Sequence, residues 1–582
     1  MSSTANTYAY VFQGGPVNSS YSLIHCIEKE KKKRLLWGFH SKVEEYNNIK
    51  EGDMVFLYVT KTIKTIVASG YVESKFIDES KFWPIDSEYG DTWPKRVWIR
   101  IEYIYINDDI LNLLRKCSQC NTDECYECHQ LNVHYKDLRD EIQRVYETRP
   151  GSIRRISSTD ANKIREILAK HCIKVSVNLQ DIFKDLIKVE ESANIGLRHL
   201  EALILIHLIS GKNVIITGPP GSGKTTLSEN ICKTLGVESR VITGNPEWTP
   251  FDTIGGRDIN GIFRPGLVTN SIIDCWRSLK NKGVPAFLII DEINRANVDL
   301  ALGRLFTLLD VKHRENPLIE STENLGDAFK DVLINGNLYV PYSFRIIATM
   351  NSYDKALLFK LGYALLRRFA VVEMRRNFKF EQNPQDWIEK VKDFIKKGKS
   401  CDLEKSVNLD MIDKELRNLS RHEFNDYALI DGYLQTTIGN NGIKGVLERL
   451  ATNLGLDPQD ILSLIYKIVC TINENLSNYG IEITEAPVAD TIKFIAVSAL
   501  LDENWASQHL ATLLDEALSS YVAPQLDILA DKVRAENLKL LPLKGERSLK
   551  KELDDLSNMM KNLELIKFSD RLNKLARGES IL

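Results

Sequence analysis

The sequence predicts an α/β and α+β multidomain chain: a parallel α/β domain, with a small β-rich domain before it and a helical region after it. Three observations carry this. Apolar strands alternate with helices between residues 190 and 375, strand-forming runs fill residues 1–110, and strand signals vanish beyond about 380. Strand and helix alternating at this spacing give a parallel sheet covered on both faces. At roughly 150 residues per domain, the 582 residues make three to four domains. The boundaries are set at 1–185, 186–378 and 379–582.

The amino-terminal strands are VFLYVTKT, TIVASGYVES and RVWIRIEYIYI, rich in β-branched and aromatic residues. Four of the eight tryptophans (Trp37, Trp83, Trp93 and Trp98) fall in this stretch. TDANKIREILAKH and NLQDIFKDLIKVEES then read as a closing helix and a connector. In the middle domain the helix LRHLEALILIHLIS leads to the strand NVIIT, and PAFLIIDE and SFRIIATMN supply later strands. PQDILSLIYKIVCTINENL and HLATLLDEALSSYV are helices of the third region. The last forty residues, charged and helical, predict a solvent-facing helical pair or a docking segment.

Hydrophobic residues are 43% and charged residues 27%, an ordinary globular mixture. The 76 basic and 79 acidic residues give a net charge of −3, which excludes an overall polycation. Any nucleic-acid contact must therefore come from local patches. With no long apolar run and no signal-peptide pattern, a cytoplasmic protein without a membrane segment is expected.

The strongest local signal is Gly218-Pro219-Pro220-Gly221-Ser222-Gly223-Lys224-Thr225-Thr226, between a strand and a helix. That context marks a phosphate-binding loop, whose backbone N–H groups sit at the positive end of a helix. Lys224 would neutralise the β- and γ-phosphates, and the Thr225 hydroxyl would bind Mg²⁺. The strand Phe287–Asp291 ends in two acids, Asp291 and Glu292. Asp291 would hold Mg²⁺ through water, and Glu292 would act as general base. Asn351, ending a third strand, would orient the attacking water. Arg367 and Arg368 either reach the γ-phosphate of a neighbouring subunit or form a solvated helix end.

The order GPPGSGKT, LIIDEINR, ATMNSYD, LLRRF resembles the AAA+ superfamily. More narrowly, DEINRA and MN-x-x-D resemble McrB, the GTP-driven motor of modification-dependent restriction systems, and its MoxR-like relatives. The McrB signature MNTAD is here Met350-Asn351-Ser352-Tyr353-Asp354, with only the middle changed. The resemblance implies that Asn351 is a sensor, that Asn294 and Arg295 stand at a subunit interface, and that Arg367 or Arg368 is the arginine finger. It also implies a helical lid, a homo-hexamer, Mg²⁺ with GTP as substrate (ATP the alternative), and a McrC-like endonuclease partner. No PD-x-(D/E)xK pattern is found, so another polypeptide would cut. Gly255–Gly266 predicts a β-hairpin, which in the resembled families often faces the ring centre or a partner and is otherwise an ordinary surface hairpin.

Lys31-Lys32-Lys33-Arg34 directly precedes Leu35-Leu36-Trp37, and Lys81-Phe82-Trp83 and Trp93-Pro94-Lys95-Arg96 follow. Basic residues among aromatics suit phosphate contacts, here by Lys33 and Arg34, beside a stacked base. GDMVFLY and Arg149-Pro-Gly-Ser-Ile-Arg154-Arg155 resemble the EVE/YTH branch of the PUA-like fold, a small β-barrel that reads modified bases. That resemblance makes Trp37 one wall of a base cage and Trp83 the second, with Trp93 as substitute. For any one of these rings, a place in the β-barrel core is the competing reading. A base flipped from methylated double-stranded DNA would enter the cage, N6-methyladenine first and 5-methylcytosine second. The competing class is a MoxR-like chaperone with an RNA- or protein-binding amino-terminal domain.

Ten cysteines are too sparse for a secreted disulfide scaffold, yet Cys117, Cys120, Cys125 and Cys128 lie within twelve residues. Two CxxC pairs supply enough thiolates for a structural Zn²⁺, and His129 could replace one. Disulfides or free thiols are the alternatives.

Overall fold

A computed structural model describes residues 9–28, 34–50, 53–61, 63–83, 93–105, 108–120, 125–146, 152–171, 173–174, 179–188, 195–282, 285–303, 305–320, 330–351, 361–398, 401–418, 442–538 and 548–581. The chain divides into a first unit of Met1–Val177 with Lys280–Val284 and a second of Asn178–Leu279 with Pro285–Leu582.

Seven strands of the first unit share one sheet: β1 (Ala9–Gly14), β2 (Arg34–Phe39), β3 (Met54–Val59), β4 (Thr65–Ile77), β5 (Lys95–Ile104), β6 (Ile153–Ile156) and β7 (Ile173–Lys174). The order is β2-β5-β4-β3-β1-β6, with β7 on β5. Pairing is antiparallel except where β1 lies parallel to β3. The long connection that a parallel pair requires runs through the helix Pro16–Glu28 and β2 before it reaches β3. Phe12, Trp37, Phe39, Phe56, Ile101 and Tyr135 belong to the core of this unit.

In the second unit β8 (Asn213–Gly218), β9 (Glu238–Thr243), β12 (Ala286–Asp291), β13 (Ile346–Asn351) and β14 (Phe369–Glu373) form a parallel sheet. Its order is β14-β8-β13-β12-β9. All six residues of β8 are buried, as expected of a strand covered on both faces. Between β9 and β12, the short strands β10 (Gly255–Arg257) and β11 (Phe263–Pro265) pair as the expected hairpin. At its tip Asp258 accepts from the N–H groups of Asn260 and Ile262, and Ile259 projects fully exposed.

After β14 every described element is helical. The terminal helices Leu549–Asn562 and Ile566–Ala576 keep one face in solvent, with Lys550, Lys551, Asp555 and Lys561 exposed, and bury Leu549, Leu553, Leu556, Met560, Phe568, Leu572 and Leu575 on the other. Their leucines recur at three- and four-residue spacing, so one face joins the core, where Lys567 and Arg571 are buried as well, while most of the charges lie on the other. Trp387 donates from Nε1 to the Leu563 carbonyl (3.0 Å). Cys401 and Cys470, 69 residues apart, form a disulfide that spacing alone does not signal. No helix among the described residues is long and apolar enough to cross a membrane.

Candidate functional site

The strand order creates the site. Because β13 lies between β8 and β12, Asn351 is delivered between the glycine loop after β8 and the acids after β12. Ligands of open parallel sheets bind at such carboxyl ends. Gly221 (φ 69°) and Gly223 (φ 94°) take left-handed conformations that side chains disfavour, turning the loop into the helix Lys224–Leu235. Pro219, Pro220, Gly221 and Gly223 are exposed and Ser222 is half-buried, so the loop is open to a ligand.

Lys224 Nζ donates to the carbonyls of Gly218 (3.1 Å) and Pro219 (2.8 Å) and to Asn351 Oδ1 (2.8 Å). The other end of the Asn351 amide donates from Nδ2 to Glu292 Oε1 (2.9 Å). Arg295 then pairs with Glu292 Oε2 at 3.0 Å. One amide therefore bridges the loop lysine and the acid. Burial lowers the Lys224 ammonium pKa, and Asp291 and Glu292 oppose that shift. Thr225 and Thr349 hydroxyls both donate to Asp291 Oδ1, each at 2.6 Å. Thr349 also accepts from the Glu292 N–H (2.9 Å), fixing the backbone that carries the acid.

Glu292 sits at φ 51°, ψ 52°, a left-handed conformation that is costly for a residue with a Cβ. A Cβ on Gly244 would lie 2.4 Å from the Glu292 carbonyl oxygen, so only glycine permits this approach. Asn294 Nδ2 donates to the Asn351 carbonyl (3.3 Å).

The two arginines have separate surroundings. Arg368 turns inward, donating to the Phe306 and Ala364 carbonyls, 3.5 Å from Asp310 and over the Phe306 ring. Arg367 is exposed. Of the expected nucleotide residues, Thr226 is also exposed, while Asp354 lies outside the described residues. Sequence reasoning missed Thr349, whose signal is a hydroxyl inside an otherwise apolar buried strand. It also missed Arg376, which reaches the Ser222 carbonyl at 3.4 Å. Its neighbour Arg375 pairs with Glu516, which Lys567 also meets at 2.5 Å.

In the first unit the two expected cage walls are not brought together. Side chains alternate along β2, so Trp37 enters the core while Gly38 faces Trp83 and Trp93. A Cβ on Gly38 would lie 2.4 Å from the Trp83 ring. Trp83 donates from Nε1 to Ser22 (2.6 Å), and its ring centroid is 6.2 Å from that of Trp93. Arg34 lies 4.3 Å over Trp98, and Arg96 lies 5.5 Å over Trp83. Trp83 is buried, whereas Trp93, Trp98 and Phe82 are half-buried. Lys33 and Arg149 lie outside the described residues.

Residues 213–369 match the AAA domain of the dynein-related subfamily. This segment is an AAA-type ATPase domain. It contains the glycine loop, both acids, Asn351 and the arginine pair. The chain is 30% identical over 192 residues to YdiS, the BsuMI type II restriction enzyme component of Bacillus subtilis (strain 168); the match covers 27% of this chain and 56% of YdiS. It is 35% identical over 88 residues to R476 of Acanthamoeba polyphaga mimivirus, named for the AAA family ATPases, covering 14% of this chain and 9% of that protein. The chain thus spans little more than half of one relative and under a tenth of the other. A crystal structure titled as an ATPase from Cytophaga hutchinsonii ATCC 33406 aligns with TM-score 0.33 and 15% identity, over 59% of this chain and 86% of that one.

Proposed function

We propose that this chain is the nucleotide-hydrolysing motor of a modification-dependent restriction system, acting with a separate McrC-like endonuclease. The Lys224–Asn351–Glu292 chain of hydrogen bonds carries the proposal, because it joins phosphate binding to water activation through one side chain. Lys224 neutralises the β- and γ-phosphates, Asn351 positions the attacking water, and Glu292 accepts its proton. The Thr225 hydroxyl and Asp291 carboxylate, 2.6 Å apart, are hard oxygen donors suited to Mg²⁺, which supplies charge neutralisation at the phosphates.

Arg367, the exposed member of its pair, acts in a neighbouring subunit of a hexamer, while Arg368 holds the fold. Arg295, beside Glu292, stands at that same interface. Exposed apolar side chains of the AAA domain, Val241, Phe251 and Leu300, suit such a contact. The preference for GTP over ATP rests on the resemblance of Asp291–Ala296 and Met350-Asn351 to McrB. The restriction role rests on that resemblance and on the likeness to YdiS.

The amino-terminal unit, by its EVE/YTH resemblance, reads N6-methyladenine in double-stranded DNA. Its base-stacking surface is the half-buried Trp93 and Trp98 with Arg34, with buried Trp83 packed beside Trp93 and Trp37 in the core. The test is binding of the full chain, at one fixed salt concentration, to matched duplexes bearing N6-methyladenine, 5-methylcytosine or no mark. Loss of a base–aromatic stack is worth about 1–3 kcal/mol, so Trp93→Ala should weaken marked-duplex binding roughly 5- to 160-fold and unmarked binding little. Equal, salt-sensitive binding to all three duplexes would defeat the reader and favour the chaperone reading.

A further inference from the structure

We propose that Cys120, Cys125 and Glu127 form a Zn²⁺ site in the amino-terminal unit, a ligand set that differs from the four thiolates expected. The sulfurs of Cys120 and Cys125 and a carboxylate oxygen of Glu127 all lie within 4.8 Å of one another. Cys120 Sγ and Glu127 Oε2 are 3.8 Å apart. A tetrahedral ion with bonds of about 2.3 Å to sulfur and 2.0–2.2 Å to oxygen needs ligand atoms roughly 3.5–3.8 Å apart. Small rotations of these side chains close that difference. All three residues are half-buried, so an ion can enter.

Cys117 belongs elsewhere. It is fully buried in the apolar core at the end of the helix Asp108–Cys117, whereas Cys120, three residues on, has left that helix. Cys117 therefore packs as a small hydrophobe. The side chain of Cys128 lies outside the described residues. Cys120 and Cys125 each touch the core from its edge, and Cys125 directly precedes the helix Tyr126–His134. An ion held here ties the end of one helix to the start of the next, adding to the packing of Leu114 and Leu131 in the shared core.

The experiment uses the full chain purified without chelator, with zinc measured by elemental analysis and Co²⁺ as the spectroscopic probe. One zinc per chain is expected, with a Co²⁺–thiolate charge-transfer band on substitution. Cys120→Ser and Cys125→Ser should each weaken metal binding by more than the roughly 10- to 100-fold that an outer-shell partner costs. In Co²⁺-saturated samples each should about halve the band. Glu127→Gln should weaken binding and leave the band intensity unchanged at saturation. Cys117→Ala, chosen because alanine suits the apolar site, should keep both metal and band. Failure to bind either metal, a Cys120–Cys125 disulfide in the native protein, or loss of metal in Cys117→Ala would each overturn the proposal.

Discussion

Glu292→Gln should lower nucleotide hydrolysis by about 10²–10⁴-fold, the range a positioned general base contributes, while nucleotide binding stays close to wild type. Glutamine keeps the size of the side chain and an oxygen able to accept from Asn351 Nδ2, which in wild type meets Glu292 Oε1 at 2.9 Å. It removes the proton acceptor and the charge facing Arg295. The loop residues that would contact phosphate are untouched. Hydrolysis under saturating nucleotide, measured beside equilibrium binding, separates the two effects. A variant that hydrolyses at the normal rate removes Glu292 from the mechanism. A variant that cannot bind nucleotide shows that the acid is needed to shape the loop.

The second large effect lies in the helical region. Burial would raise the Glu516 pKa, yet Lys567 and Arg375 outweigh it and hold the carboxyl at about 2. Asp515, beside it, accepts from the N–H groups of Lys567 and Phe568, each at 2.8 Å, capping the helix Ile566–Ala576. Glu516→Gln leaves the buried Lys567 ammonium beside an amide, and breaking a buried pair from one side costs about 3–5 kcal/mol. Denaturant unfolding followed by tryptophan fluorescence should show that loss, and adding Lys567→Met should recover part of it. A loss under about 1 kcal/mol would mean that the pair is solvated.

Glu516 and His207 act with one sign as pH changes, against Asp515, whose carboxyl burial pushes up to about 7. Glu516 binds its proton less readily folded than unfolded, so its contribution is present above about 4.5 and lost as pH falls towards 2. His207, fully buried with Nδ1 2.7 Å from the Tyr521 hydroxyl, is pushed by burial from 6.5 down to about 3. The unfolded chain binds that proton first, so stability falls as pH drops below 6.5. Both groups favour unfolding in acid. Glu516→Gln should flatten the part of that profile below pH 4.5.

How much was legible depended on whether the signal was local. The glycine loop and the paired acids are contiguous, and their chemistry follows from residue type and strand context. The meeting of Lys224, Asn351 and Glu292 depends on β13 lying between β8 and β12, and pairing order is not written in any one segment. Thr349 was hidden for the same reason. Trp37 and Trp83 looked alike as aromatics near basic residues, but strand alternation sends Trp37 to the core. The Cys401–Cys470 bond and the Glu516–Lys567 pair join residues 69 and 51 apart. The charge of the terminal segment predicts a solvent-facing pair, and the three- and four-residue spacing of its leucines, which marks a buried face, is the signal that this reading passes over.

The proposed function requires one chain to couple a modified-base reader to a nucleotide motor. Its most direct test is the GTP and ATP hydrolysis rate of the full chain with N6-methyladenine duplex, unmodified duplex or no DNA. GTP hydrolysis should be faster than ATP hydrolysis and changed by the marked duplex beyond the unmodified one, with that difference lost in Trp93→Ala. Hydrolysis indifferent to DNA and to its mark would contradict it.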